Sequence, residues 1–400
     1  MKHKRYLWPP ALLTALALLL ALASPWAWAN GGQWQEYADG PGPRFGHTMV
    51  TIDNDIYLFG GLVQTGPDTY VAQNDLWMFQ RDTDWIEIIA PDPPPARYGH
   101  GAAESDGKMY ILGGMDAEGN TLNDMWKYDP ASNAWTQITA VGAPPDRAYH
   151  SMVTLPDGKL LVLGGIYKTN GTYTARQDVW MFDAVANSWT QGADAPKPIY
   201  GASVVVTPDG KLCVRSGSSV SPHSNAPVYI YDPVGDSWSS ITPVGAAPDA
   251  PRLLASAALS GGRAYMFGGQ HEDTFQIFND TWEFDFTTNT WTQQADMPIA
   301  LMSAAAAPAN GQVILFGGVQ SDGTASDRTF GYWPAGAPSP TPTPTATPVP
   351  IPVGGYGEPV SRLELLALRL HSGRAPWLAL AALAALAALT AILARRHGRA

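Results

Sequence analysis

A single pattern returns six times along the middle of this chain, and it leaves few folds open. Short apolar runs end at Gly60-Gly61, Gly113-Gly114, Gly164-Gly165, Ser216-Gly217, Gly268-Gly269 and Gly317-Gly318. Each is preceded, always at the same offset, by a turn pair: Asp53-Asn54, Asp106-Gly107, Asp157-Gly158, Asp209-Gly210, Gly261-Gly262 and Asn310-Gly311. Such residues tolerate the positive φ that a two-residue hairpin demands. A second hairpin follows each doublet. Its first strand carries Trp77, Trp126, Trp180, Tyr229, Trp282 and Phe330, and its return strand carries Trp85, Trp135, Trp189, Trp238 and Trp291. Every repeat is therefore four antiparallel strands, the makeup of one propeller blade. The sequence predicts an all-β, six-bladed β-propeller.

The last repeat has no return-strand tryptophan, because a proline-rich stretch begins where it should stand. A spare one lies at the front, where Trp34-Gln-Glu-Tyr37 matches Trp135-Thr-Gln-Ile138. The N-terminal strand is thus expected to close blade six and so remove the exposed edges of an open array. The glycine doublets, the Asp-x-Trp of Asp75–Trp77, Asp124–Trp126, Asp178–Trp180 and Asp280–Trp282, and the later tryptophans together resemble the kelch family across residues 33–333. Blade four departs most, with Ser216 for a doublet glycine and Tyr229 for a tryptophan.

The two ends read differently from the body. Residues 1–29 have a basic start, an apolar Ala11–Ala23 and a small-residue Ala27-Trp28-Ala29 ending, the pattern of a secretory signal peptide. After the propeller at 30–333, residues 334–375 form a Pro/Thr-rich stalk and juxtamembrane segment, in which proline fixes φ and removes donors. Residues 376–394 carry no charge and are long enough for a transmembrane helix; the basic tail 395–400 suits a cytoplasmic end. The chain is expected to sit at the cell surface or outside the cell, anchored by that one helix. A proline spacer, short apolar helix and terminal arginines also resemble bacterial C-terminal sorting signals, so retention or cleavage of the tail stays open.

Charge narrows the partners. The net charge of −11 becomes −18 over residues 30–333 once the basic ends, +3 and +4, are set aside. So acidic a body repels phosphate backbones, which argues against nucleic acid. The one cysteine, Cys213, excludes an internal disulfide framework and reads as a small buried residue.

Each innermost strand opens with a related stretch: Arg44-Phe-Gly-His47, Arg97-Tyr-Gly-His100, Arg147-Ala-Tyr-His150, Ile199-Tyr-Gly-Ala202, Arg252-Leu-Leu-Ala255 and Leu301-Met-Ser-Ala304. Four arginines, Arg44, Arg97, Arg147 and Arg252, are thereby placed at one mouth of the central channel, with Tyr98 and Tyr200 beside them. Convergent guanidinium groups suit capture of a carboxylate, sulfate or phosphate, and the kelch resemblance implies a similar anion site. The competing reading pairs these arginines with the repeat's own aspartates. His47, His100 and His150 sit at equivalent positions, which argues for structural hydrogen bonding rather than one shared metal. Loops at Gln64–Asn74, Tyr167–Arg176, Ser219–Asn225 and Gln270–Asn279 should open on the same face. Among them His223, His271, Glu272 and Asp273 are weak metal candidates.

The expected function is a surface-displayed module that binds a protein segment or an anionic glycan, with no cofactor. The alternative is a secreted kelch-propeller enzyme acting on sugars, galactose-oxidase-like or a sugar epimerase. Cys213 has no matching tyrosine and histidine set for the oxidase, and the epimerase reading rests on fold analogy. Neither G-x-S-x-G, H-E-x-x-H, a Walker A loop nor a C-x-x-C pair occurs.

Overall fold

The computed structural model describes residues 32–67, 69–80, 84–215, 227–249, 252–335 and 359–361. The expected leader at 1–29, spanning helix at 376–394, tail at 395–400, doublet Ser216-Gly217 and His223 all lie outside the described residues. Among the described residues, no helix is long and apolar enough to cross a membrane.

Five four-stranded antiparallel sheets and one six-stranded sheet, which contains blade one, follow one another around an axis. Blade one is built from Thr48–Ile52, Asp55–Gly66, Thr69–Gln80 and Asp84–Ile88. Blades two to five repeat that order, from Gly101–Ser105 through Thr290–Gln293. Blade six takes Ala305–Ala309, Gln312–Phe316 and Thr329–Trp333 from the far end of the repeat array and Gln33–Glu36 from its beginning. Trp34 lies opposite Tyr332 in that last pairing, so the front of the array closes the ring as expected.

The seams between blades hold the core. Six separate apolar clusters each bridge one neighbouring pair. The return-strand tryptophan of one blade reaches back to the aromatic before the doublet of the preceding blade. Trp85 lies 4.9 Å from Phe316, Trp135 4.9 Å from Phe59, and Trp34 5.6 Å from Phe267, measured between ring centroids. Each such ring removes about 150–250 Å² from water, which makes the seams the main source of apolar burial.

The doublets are glycine because two peptides meet there. A Cβ on Gly60 or Gly113 would stand 2.8 or 2.5 Å from the carbonyl oxygen of Arg97 or Arg147 in the next blade. The second glycine donates its N–H to that same oxygen, Gly61 to Arg97 and Gly114 to Arg147, both at 2.9 Å. A methyl group there would push the blades apart.

Two local expectations are corrected. Blades three and four do not use two-residue hairpins. Pro156 and Pro208 precede their Asp-Gly pairs, and proline at the second position of a type I turn leaves positive φ to the glycine alone. Gly158 accordingly donates to Leu155 and Gly210 to Thr207, both at 2.9 Å. The segments expected as loops after the first and third doublets are largely strand. Leu62, Tyr70 and Ala72 of blade one, and Ile166 and Tyr173 of blade three, alternate inward and pack with Phe45, Tyr98 and Ala148. Each hairpin leans over its preceding neighbour: Tyr70 Oη donates to Gly323 O at 3.3 Å and Tyr173 Oη to Gly119 O at 3.2 Å. A three-residue strand, Pro359–Ser361, lies within the stretch expected to be stalk and runs antiparallel beside Thr69–Val71.

Candidate functional site at the axial mouth

The four arginines do not present themselves to the channel. Arg97 is 0% exposed, and Arg44, Arg147 and Arg252 are likewise buried. Each grips the aspartate of its own blade's Asp-x-Trp with two nitrogens. In blade two, Arg97 Nη1 and Nη2 donate to Asp124 Oδ1 and Oδ2, both at 2.7 Å. In blade three, Arg147 holds Asp178 at 2.9 and 2.7 Å. Arg44 and Arg252 do the same with Asp75 and Asp280. Nη1 also reaches the first doublet carbonyl, Gly113 O or Gly164 O at 2.9 Å, and the aspartate accepts the indole N–H of Trp126 or Trp180 at 2.7 Å. Burial alone would raise the Asp124 and Asp178 carboxyls, but the hydrogen bonds and charge of the guanidinium bring both below their ordinary range. The arginine mouth expected from sequence is therefore a set of internal clamps, and its guanidinium groups are turned away from any external anion.

What rings the axis instead is backbone. The third residue of each opening stretch, Gly46, Gly99, Tyr149, Gly201, Leu254 and Ser303, has φ between 52° and 66°. Each donates its N–H to the equivalent carbonyl of the blade before: Gly99 to Gly46 at 2.7 Å, Tyr149 to Gly99 at 2.6 Å, Gly201 to Tyr149 at 2.9 Å, Leu254 to Gly201 at 2.8 Å, Ser303 to Leu254 at 2.9 Å. Gly46 closes the circle onto Ser303 at 3.4 Å. Three of the six positions therefore hold side chains in a conformation that favours glycine, a strain that packing must maintain.

Inside this ring lies a cavity of about 140 Å³, lined on one side by His47, His100 and His150 and on the other by Ala202, Ala255 and Ala304. That volume admits roughly four or five waters at about 30 Å³ each. The imidazoles tuck sideways into the seams: His47 meets Phe316 at 5.2 Å and His100 meets Phe59 at 5.5 Å. His100 Nε2 bonds Thr48 Oγ1 at 2.7 Å, the structural role expected of these residues. For His150, neither ring nitrogen has a protein hydrogen-bond partner among the described residues, whereas the His47 ring is set against the Phe316 backbone. Burial, reinforced by the neighbouring Arg44 or Arg147, holds both well below the usual histidine range, and burial with Arg97 takes His100 to about 3.

Above the ring, the buried cluster of Phe45, Leu62, Tyr70, Tyr98 and Met115 covers the side of blades six to three. Tyr98 is buried within it, while Tyr200 is half-buried at its edge with Tyr149, Leu254 and Ile277. Burial, then the charge of Glu272, pushes the Tyr200 hydroxyl pKa upward. In the same blade-five loop, Phe275 is 48% exposed and has φ of 59°. Sequence reasoning missed Phe275, Leu254 and the whole backbone ring. The available signal was three glycines at one equivalent position.

Metal chemistry finds no support in the loop residues. His271 Nδ1 accepts the N–H of Asp273 at 3.2 Å and of Thr274 at 3.3 Å, so it caps a turn. Among the described residues, no three His, Cys, Asp or Glu side chains gather as a metal set. Cys213 is buried in the strand Leu212–Arg215, and burial pushes its thiol up to about 12. Arg215, at the end of that strand, stands where other blades place Phe59 or Phe267. It lies 5.9 Å from the Trp291 ring and donates to Pro248 O at 2.8 Å.

Comparison with known proteins matches this geometry to its relatives. The KLHDC2/KLHL20/DRC7 Kelch-repeats domain matches residues 46–269 and 158–332. Kelch-like protein terF of Aspergillus terreus (strain NIH 2624 / FGSC A1156) is 27% identical over 288 residues, 69% of this chain and 61% of that protein. Kelch domain-containing protein 3 of Homo sapiens is 28% identical over 258 residues, 61% of this chain and 65% of that one. The chain thus spans less than two thirds of either relative. The solved structure of YjhT has a TM-score of 0.58 at 19% identity, covering 73% of this chain and 95% of its own, a likeness of fold.

Proposed function

Since the chain belongs to the kelch-repeat family, we propose that its loop-bearing face is a docking surface for a protein segment. One observation carries this reading: Phe275, held on a tight loop in a left-handed conformation, leaves an aromatic ring in solvent on the face that also bears Tyr149, Tyr200, Leu254 and Ile277. A left-handed backbone that holds an aromatic in solvent beside other partly exposed apolar side chains supports a recognition element over a packing residue. An anionic glycan loses its main support, because all four candidate arginines are already paired with aspartates inside the blades. A sugar-converting enzyme finds no favourable feature either, since among the described residues no carboxylate lines the axial cavity.

The test is selection of peptides from a displayed random library on the full chain. Enriched peptides should bind and should weaken at least about tenfold, or 1.4 kcal/mol, on Phe275→Ala, with the melting temperature unchanged. If enriched peptides bind Phe275→Ala as well as the parent, the reading fails.

The same proposal places the surface outside the cell, on the strength of the leader-like 1–29 and the uncharged 376–394. A membrane-associated product beginning at Asn30 is the expected mass, and an uncut soluble chain would overturn that placement.

A further inference from the structure

Resting on the docking reading above, we propose that the segment this face takes is the chain's own uncharged proline-rich run, residues 338–352, laid in cis across the apolar rim of the axial mouth. The relief of the rim, the composition of the run and the course of the chain each lead there.

The rim is apolar and ridged. Glycine stands at the ring positions of blades one, two and four, and Tyr149 and Leu254 stand at those of blades three and five. Each large side chain lies against the glycine of the blade before it. The Tyr149 ring passes 3.1 Å from where a Cβ of Gly99 would stand, and Leu254 Cδ2 passes 3.0 Å from that of Gly201. Tyr200 and Ile277, both half-buried, pack on the same cluster, and Phe275 adds an exposed ring to the face. Burial and the charge of Glu272 keep the Tyr200 hydroxyl protonated at neutral pH, so it is a donor. Spaced aromatic and branched side chains with a hydroxyl among them suit a polyproline helix, whose carbonyls make no internal hydrogen bonds and whose backbone is already ordered.

The chain itself carries such a ligand. Seven of residues 338–352 are proline, and nothing from 334 to 357 is charged, so the −18 of residues 30–333 does not oppose the contact. Trp333 pairs with Gln33 at the end of blade six that bears the turn pair. Pro359–Ser361 lies beside Thr69–Val71, beyond the glycine doublet at the opposite end of blade one. Tyr70, opposite Val360 in that pairing, belongs to the very cluster on which Tyr149, Tyr200 and Leu254 pack. The 25 residues 334–358 therefore join the turn-bearing face to the docking face. At about 3.1 Å per residue such a length reaches roughly 75 Å, against about 17 Å for a five-residue strand. The surplus is enough to lie over the mouth on the way.

Fluorescence anisotropy with a labelled synthetic peptide of residues 338–352 tests this on the full chain. In the parent the tethered run holds the site at an effective concentration of about millimolar. The peptide should therefore bind at least about tenfold tighter to a full-length variant carrying Pro342→Ser, Pro344→Ser, Pro348→Ser and Pro350→Ser. Adding Phe275→Ala to that variant should weaken the peptide at least about tenfold, with the melting temperature unchanged. Equal binding to parent and serine variant, no binding to the variant, or binding indifferent to Phe275→Ala overturns the inference. So does a parent that sediments as a concentration-dependent dimer and turns monomeric on the serine changes, since the run would then cross to a second copy. The docking reading is judged separately. Library peptides that depend on Phe275, beside a 338–352 peptide that does not bind, would sink this inference alone, whereas library peptides indifferent to Phe275 would sink both.

Discussion

Blades one to three and blades four to six close the same ring with different chemistry. In the first group each blade carries the full set of arginine, histidine, aspartate and tryptophan, and an imidazole fills the inner seam toward the preceding blade. In the second group alanine replaces each histidine. There a serine of the preceding blade crosses the seam instead: Ser151 Oγ donates to Ala202 O at 3.4 Å, Ser203 Oγ to Ala255 O at 2.9 Å, and Ser256 Oγ to Ala304 O at 2.7 Å. The positions facing His150 and His47 are correspondingly Gly101 and Ala305, small residues with no hydroxyl to offer. The arginine clamp shows the same discipline. Blade four has Ile199 and Pro227 where its partners have Arg and Asp, and blade six has Leu301 and Arg328. The pair is kept whole or lost whole, because either member alone would be a buried uncompensated charge. The repeat is thus a backbone pattern that accepts two interior solutions, one polar and titratable, one small and neutral.

Acid should break the two halves apart with the largest effect. His47, His100 and His150 have folded pKa values depressed below the unfolded value of about 6.5. Below about pH 6.5 the unfolded chain therefore binds protons that the native state refuses. Stability is full above that pH and falls as pH drops, by about 1.4 kcal/mol per unit for each histidine, or roughly 4 kcal/mol per unit for three. Urea midpoints are expected to collapse between about pH 6.5 and 4.5. A His47→Ala, His100→Ala, His150→Ala variant, which converts the polar half to the neutral solution, should lose most of that slope. A parent chain as stable at about pH 4.5 as at about pH 7 would refute the assignment.

Next in size is the clamp. Arg147→Ala leaves Asp178 a buried anion beside Trp180 and should cost about 3–5 kcal/mol by urea unfolding at neutral pH. Arg147→Ile with Asp178→Ala copies the neutral solution that blade four already uses, and should cost less than half as much. Additive single effects, with no recovery in the double variant, would show that the clamp is not what blades four and six replaced.

The repeat and its closure were legible because they are matters of spacing: doublets, turn pairs and tryptophans keep their intervals, and Trp34 is a surplus that fits one gap. The arginines were placed on the right face with two tasks left open, and the structure shows the second, pairing with the repeat's own aspartates, rather than anion capture. Their position in the opening stretch says where they start, whereas their partners Asp75, Asp124, Asp178 and Asp280 lie on a later strand of the same blade. The joint absence of both members in blades four and six carried that information. The hairpins over blades one and three were read as loops because Gln64, Thr69, Lys168 and Thr172 are polar, although Tyr70, Ala72 and Tyr173 alternate as strands do. The cavity and the backbone ring were out of reach, since each is assembled from residues contributed by all six blades.

The smallest effect tests whether the two inner solutions are interchangeable seam by seam. A Cβ on Gly101 would stand 2.5 Å from His150 Nε2, 2.8 Å from its Cδ2 and 2.9 Å from Met152 Cβ. Gly101→Ser should therefore cost about 1–3 kcal/mol in the parent chain, the usual penalty for overpacking a tight interior. In a His150→Ala background two of those three contacts vanish. The new hydroxyl can then reach the backbone carbonyl across the seam, as Ser203 reaches Ala255. The penalty for the serine should shrink by at least about 1 kcal/mol, a coupling measurable in a double-mutant cycle. An unchanged penalty would mean that Met152 and the local backbone, rather than the imidazole, dictate glycine at this seam, and that the polar half of the ring cannot be converted one seam at a time.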